Sequence, residues 1–161
     1  MTVEHLQRLD PGSNVCDDLR VGDHFDIGGI EVTDVHVVAF AGVSGAHFVV
    51  HGQDMLTQAP GLSGCVAHGP FGLAMADGLG NRPPVKILGI ASPGSDRAFR
   101  GAILSDDRNK ARVTAKAPCT TKREARGIAT LFFDMTNQRG ETVQDGETPL
   151  HTSRNVESAN A

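Results

Sequence analysis

Cys65-Val66-Ala67-His68-Gly69-Pro70-Phe71-Gly72-Leu73-Ala74-Met75-Ala76-Asp77-Gly78-Leu79-Gly80 decides how this chain folds. Its only acid and base are Asp77 and His68, and a helix that is apolar nearly all round is a buried one. The stretch therefore predicts a buried central helix. Gly69-Pro70 suits its start, because proline tolerates the opening of a helix, where its missing N–H would have been unpaired anyway.

Upstream, Asp23 to Val32 reads as a short strand pair turning at Gly28-Gly29, two residues that supply positive φ. Thr33 is an N-cap with Asp34 in the first turn, and Val35, Val38, Ala39 and Val43 recur at helical spacing. A loop spans Gly52 to Gly64. Downstream of Asn81-Arg82-Pro83-Pro84 the pattern changes to strands: Val85–Ala91, Ala98–Leu104, Ala111–Ala117, Ile128–Met135 and Thr142–Thr152. Turns fall at Pro93-Gly94-Ser95, Asp106-Asp107-Arg108 and Asn137-Gln138-Arg139-Gly140. Lys122 to Gly127 carries a bulge or extends a strand. Strands, one buried helix, then a run of antiparallel strands make an α+β chain whose curved sheet wraps an apolar helix.

The 161 residues suit one domain. Its expected span is 19–152, with flexible segments at 1–18 and 153–161. A formal net charge of −4 gives no basic footprint, so nucleic acid is not an expected partner. Cys16, Cys65 and Cys119 are too dispersed for a disulfide scaffold or a C-x-x-C zinc site, which fits a reducing cytoplasm. No segment has signal-peptide or membrane-span character. No G-x-G-x-x-G or phosphate-loop spacing occurs, so no cofactor is expected.

Two further motifs carry the chemistry. Ser44-Gly45-Ala46-His47-Phe48-Val49-Val50-His51, followed by Val66-Ala67-His68-Gly69-Pro70, resembles the MaoC-like dehydratases, or (R)-specific enoyl-CoA hydratases. Their signature runs G-D-x-N-P-x-H, then I-A-H-G opening a buried helix. Phe99-Arg100-Gly101-Ala102-Ile103-Leu104-Ser105-Asp106-Asp107 matches the family's F-x-x-P-V-x-x-G-D, with Ala102 for its proline and Asp106 for its glycine. The resemblance extends from about Leu19 to Thr152. It implies a hotdog fold, a homodimer paired through its sheets with active sites at the interface, and water addition or removal on an enoyl or β-hydroxyacyl thioester of coenzyme A or an acyl carrier protein.

Such chemistry needs a base for water, an acid for the α-carbon and donors for the enolate oxygen. By the resemblance His51 takes the histidine place, while Ala46, Phe48 and Val49 stand where the family has aspartate, asparagine and proline. Ala46 cannot transfer a proton, so ordinary hydratase activity should fall by about 10²–10⁴ unless another group substitutes. His51 is the expected base, kept neutral by Val49 and Val50; the competing reading is a core histidine bonded to a backbone carbonyl. Gly69 N–H is the expected oxyanion donor at the helix start; otherwise Gly69 serves close packing. His68 shapes that turn. Asp77, a lone carboxylate in a buried helix, needs a partner and could restore a His–Asp pair, or else it sits solvated or with Arg82 near the helix end. His47 is a second replacement acid, on the same face as His51 if the segment is extended. A two-histidine metal site with His68 and Asp54 lacks ligands and is not expected.

Three functional readings stand. The first is a hydratase or dehydratase using His51, Gly69 and Asp77 or His47. The second is a pocket redirected to cyclisation, isomerisation or elimination on a polyketide-like intermediate, favoured by apolar Ala46, Phe48 and Val49. The third is a non-catalytic binding or partner subunit.

Overall fold

The computed structural model describes residues 7–48, 51, 65–82, 84–123 and 125–154. Strand β1 (Gly12–Asn14) and a 3-10 turn (Cys16–Asp18) precede β2 (His24–Glu31) and helix α1 (Asp34–Ser44). Helix α2 (Gly69–Gly80) follows, then β3 (Val85–Ile87), β4 (Gly89–Ala91), β5 (Asp96–Phe99), β6 (Arg108–Arg123), β7 (Arg126–Thr136) and β8 (Thr142–Ser153). The main sheet is antiparallel and strongly curled, in the order β2-β6-β7-β8-β4, with β5 also paired to β8.

The sheet's inner face is set by strict alternation. Along β7, Ala129, Leu131, Phe133 and Met135 are buried while Thr130, Phe132, Asp134 and Thr136 are partly exposed, the period of a half-buried strand. α2 lays Met75, Ala76 and Leu79 into the same core as Phe25, Ile27, Val113 and Leu131. The expected α+β hotdog arrangement is the one observed.

Local expectations fare unevenly. Thr33 caps α1 in extended conformation, and Gly45 ends it at φ 72°, the left-handed geometry that glycine adopts without penalty. The expected strand pair over Asp23–Val32 is instead one strand: both halves pair with β6, and Gly28-Gly29 form an irregularity between Ile27 and Ile30, neither at positive φ. Val85–Ala91 splits in two, because β3 pairs with β1 in a small parallel sheet while β4 joins β8. β5 begins before Ala98 and ends at Phe99; Leu104 returns only as a bridge to Val66. β6 runs through Lys122, with a register shift between Thr120 and Arg123, and turns back with Arg123 opposite Arg126, so that stretch extends a strand and carries an irregularity as well.

The first eighteen residues contribute β1 and a fully buried Cys16. The cysteines are not all apart in space. Cys16 and Cys119 form a disulfide, with Cα atoms 5.5 Å apart and a sequence separation of 103. Sequence spacing carries no information about such a contact, and the dispersion of the cysteines therefore says nothing about compartment. Gly127 lies against both sulfurs, where any Cβ would overlap them. No helix among the described residues is long and apolar enough to cross a membrane.

Candidate functional site

Three chain segments meet at the start of α2. The strand-like Cys65–Ala67 is held by the turn that follows it in space: Ala67 N–H donates to Ile103 O at 2.8 Å and Ser105 N–H to Cys65 O at 2.8 Å. That turn is fixed by Asp107, 2% exposed, which accepts from Leu104 N–H at 2.9 Å, Gln138 Nε2 at 2.8 Å and Arg139 Nη1 at 3.2 Å. Asp106, where the resembled motif has glycine, sits at φ 69°, a conformation Asp tolerates better than most residues.

His51 is pinned to this strand. Its Nδ1 lies 2.6 Å from Val66 O, and its own carbonyl accepts from Cys65 Sγ at 3.0 Å. A carbonyl can only accept, so Nδ1 carries the hydrogen, and in the neutral ring Nε2 is then the nitrogen with the lone pair. Burial, with Asp34 second, pushes the Cys65 thiol above its usual range and keeps it a donor. His68 is the N-cap residue of α2 and only 3% exposed; its Nε2 donates to Ala46 O at 2.7 Å, and its Nδ1 has no partner among the described residues. The imidazoles of His51 and His68 stack, centroids 3.6 Å apart, and Phe40 backs His68 at 5.2 Å. Of the two readings of His51, the bond to a backbone carbonyl is the one observed, and it leaves Nε2 outside that bond.

Gly69 is the first residue of α2, and its N–H has no partner among the described residues, as expected of a first-turn amide. A Cβ there would stand 2.7–3.0 Å from the ring of Phe99, which is 59% exposed. The structure brings His51, His68, Ala46 and Gly69 together at this end of the helix. Val49 and Val50, expected to desolvate His51, lie outside the described residues, as does Asp54.

The two replacement acids are elsewhere. The chain from Ala46 to Phe48 is not extended: His47 N–H donates back to Gly45 O and His51 N–H to Phe48 O, so strand alternation does not align the two histidines, and His47 is exposed. Phe48 is 71% exposed. Asp77 is exposed rather than buried, because α2 turns only Gly72, Met75, Ala76 and Leu79 inward. It lies eight residues beyond Gly69, about 12 Å along the helix axis, on the rim of a cavity of about 310 Å³ lined by Phe25, Ile87, Val113, Leu131, Phe133 and Leu150. Arg97 stands beside that region, its guanidinium 4.0 Å over the Phe133 ring and donating to Thr148 Oγ1 at 3.0 Å. Burial lowers its pKa, while Asp77 and Asp145 oppose that shift. Sequence reasoning missed Cys65, Phe99, Asp107 and Gln144 as site neighbours; the motif around Phe99 and Asp107 was the available signal for two of them.

No protein-family model matches the chain, and no curated protein matches it either. Solved structures do. The (R)-hydratase PhaJ1 from Pseudomonas aeruginosa superimposes with TM-score 0.71 at 19% identity, covering 88% of this chain and 86% of that one. Rv0216 of Mycobacterium tuberculosis, described as a double hotdog fold, gives 0.72 at 19% over 91% of this chain and 46% of its own. A MaoC-like dehydratase from Rhodospirillum rubrum gives TM-score 0.78 at 27% identity, covering 88% of this chain and 98% of that one. Likeness of sequence here accompanies likeness of fold over almost the whole of both chains, and this chain has the hotdog fold of the MaoC-like dehydratases and (R)-hydratases.

Proposed function

We propose that this chain adds water to, or removes it from, an acyl thioester of coenzyme A or an acyl carrier protein, with His51 as the general base. The observation that carries the reading is the His51 bond to Val66 O, which commits Nδ1 as donor and leaves Nε2 available as a base, on a ring stacked against His68, whose next residue Gly69 has an amide without a partner among the described residues. In the hydration direction His51 Nε2 takes a proton from water as its oxygen bonds to the β-carbon. The negative charge that develops on the thioester oxygen is met by Gly69 N–H and the positive end of α2. The α-carbon then needs a proton. Neither His47 nor Asp77 stands with His51 in the described geometry, so His51 returns the proton itself and turnover is slow compared with a complete acid–base pair.

The missing acid favours one alternative: a pocket redirected to an isomerisation, cyclisation or elimination that a single base completes. We further infer a homodimer formed through the β4–β5 edge. All three residues of β4 are exposed, and Leu88, Ile90 and Phe99 present apolar surface there at 43%, 49% and 59% exposure, an edge that folded proteins cover by pairing.

Ultraviolet absorbance of short enoyl-coenzyme A substrates tests the reading. The parent should hydrate them slowly, His51→Ala should abolish turnover, and Ala46→Asp should raise it by about 10²–10⁴. A parent that is silent and stays silent as Ala46→Asp counts against thioester hydration.

A further inference from the structure

Gln144 is 1% exposed, and neither Oε1 nor Nε2 of its carboxamide has a partner among the described residues. A buried amide that gives up water without replacement is costly, and native interiors hold few of them. Its placement is also specific. Met135 pairs with Gln144 while Thr136 pairs with Thr142, so Val143 is an extra residue in β8, and both Val143 and Gln144 are buried. Bulges recur beside active sites, where they re-aim a side chain. Here the carboxamide turns to the first turn of α2, with Oε1 3.1 Å from where a Cβ on Gly72 would stand. Its ladder partner is Phe99, whose ring lies over Gly69 in the same turn. His68 Nδ1 is a second buried polar atom at this helix start with no partner among the described residues.

We propose that Gln144 is a substrate-binding residue that holds the carbonyl and the β-hydroxyl of a β-hydroxyacyl thioester. A carboxamide presents a donor and an acceptor side by side, so the ligand that satisfies both offers an acceptor and a donor a few bonds apart. In a β-hydroxyacyl thioester the carbonyl oxygen accepts from Nε2–H, shared with Gly69 N–H, and the hydroxyl donates to Oε1. A saturated acyl thioester satisfies only the donor. Phe99, 59% exposed, covers Gly69, so ligand entry requires its ring to turn off that residue. The inference rests on the thioester reading above and narrows it to the hydroxyl-bearing substrate.

The test measures thermal protection of the full chain by 3-hydroxybutyryl-coenzyme A and by butyryl-coenzyme A, in the parent and in Gln144→Met, together with crotonyl-coenzyme A hydration. The parent should bind the hydroxyacyl probe about 10-fold more tightly, the worth of one added hydrogen bond. Gln144→Met should melt no lower than the parent, bind both probes alike and lose about 10-fold in kcat/KM. A parent that turns over substrate yet binds both probes equally overturns the role of Gln144 alone, as does a variant that keeps the preference. So does a variant that fails to fold, since the carboxamide would then be a structural partner. A parent that neither binds nor hydrates any thioester overturns the thioester reading, and this inference with it.

Discussion

Asp107→Ala should be among the most destabilising single changes in the chain. The carboxylate is almost fully buried and accepts two well-placed bonds, from Leu104 N–H at 2.9 Å and Gln138 at 2.8 Å. Hydrogen bonds to a charged group contribute about 1.5–3 kcal/mol each, so removing the acceptor costs about 3–6 kcal/mol. Arg139, 48% exposed in its side chain, adds little because solvent screens it. For a domain of this size, at about 2–4 °C per kcal/mol, the loss corresponds to a fall in Tm of about 6–24 °C. Asp107→Asn keeps one acceptor oxygen and should lose about half as much. The damage reaches the site as well, since the same turn holds Cys65 and Ala67 through their backbone bonds to Ser105 and Ile103. Urea titration read by circular dichroism measures the stability, and crotonyl-coenzyme A hydration at low temperature measures the site. If Asp107→Ala unfolds within about 0.5 kcal/mol of the parent, the turn is not held by that carboxylate and the account of how α2's start is positioned fails.

Gly146 lies at φ 144°, and a Cβ on it would run into the Asp96 carbonyl and stand 2.8 Å from Arg97 Cα; Gly146→Ala should cost about 3 kcal/mol by denaturant unfolding, and a neutral result would mean that β5 can move off β8. Dithiothreitol should lower the parent's Tm, because the Cys16–Cys119 bond closes a loop of about 100 residues, for which chain entropy alone predicts about 4–5 kcal/mol. Cys119→Ser should melt like the reduced parent and ignore reductant. The Arg112 hydrogen bond holds Asp26 below its ordinary value of 3.8; a depressed folded pKa gives stability that is present above the unfolded value and lost as pH falls through the folded one. Arg112→Ala should therefore flatten the stability profile below about pH 4, by less than about 1 kcal/mol given the pair's exposure, and a profile unchanged in slope would remove Asp26 from acid unfolding.

Sequence pattern reveals an element where one period dominates and hides it where two environments share a stretch. β7 alternates without a break, and α1 carries a cap, an apolar repeat and a terminal glycine, so both are visible along the chain. Val85–Ala91 looks like a single strand because nothing in its residue types marks Leu88 as the point where the chain leaves one sheet for another. Asp77 looks buried because Ala and Gly on α2 leave its outer face as apolar in composition as its inner one. Gln144 lies beyond pattern altogether: an alternating strand puts Val143 and Gln144 on opposite faces, and only the extra residue in β8 buries both. The pairing of Cys16 with Cys119 likewise depends on tertiary register alone.

The site's tolerance of a rewritten motif follows from which atoms hold it. His51 is fixed by the Val66 carbonyl and by a thiol on its own carbonyl, and His68 by the Ala46 carbonyl. Neither hydrogen bond uses the side chain at 46, and from 48 only the Phe48 ring meets the His51 imidazole, edge-on at 6.4 Å. A backbone oxygen survives any substitution that leaves φ and ψ alone, so a motif aspartate can become alanine without displacing either imidazole. In the proposed reading the proton donor is the group that is gone, while the groups proposed as base and oxyanion amide stay in place. Because the scaffold does not depend on the lost group, Ala46→Asp adds a carboxyl to a site already assembled, and its effect should appear in kcat far more than in stability. A large loss of stability in that variant would mean that the 46 side chain, and not its carbonyl, shapes the turn.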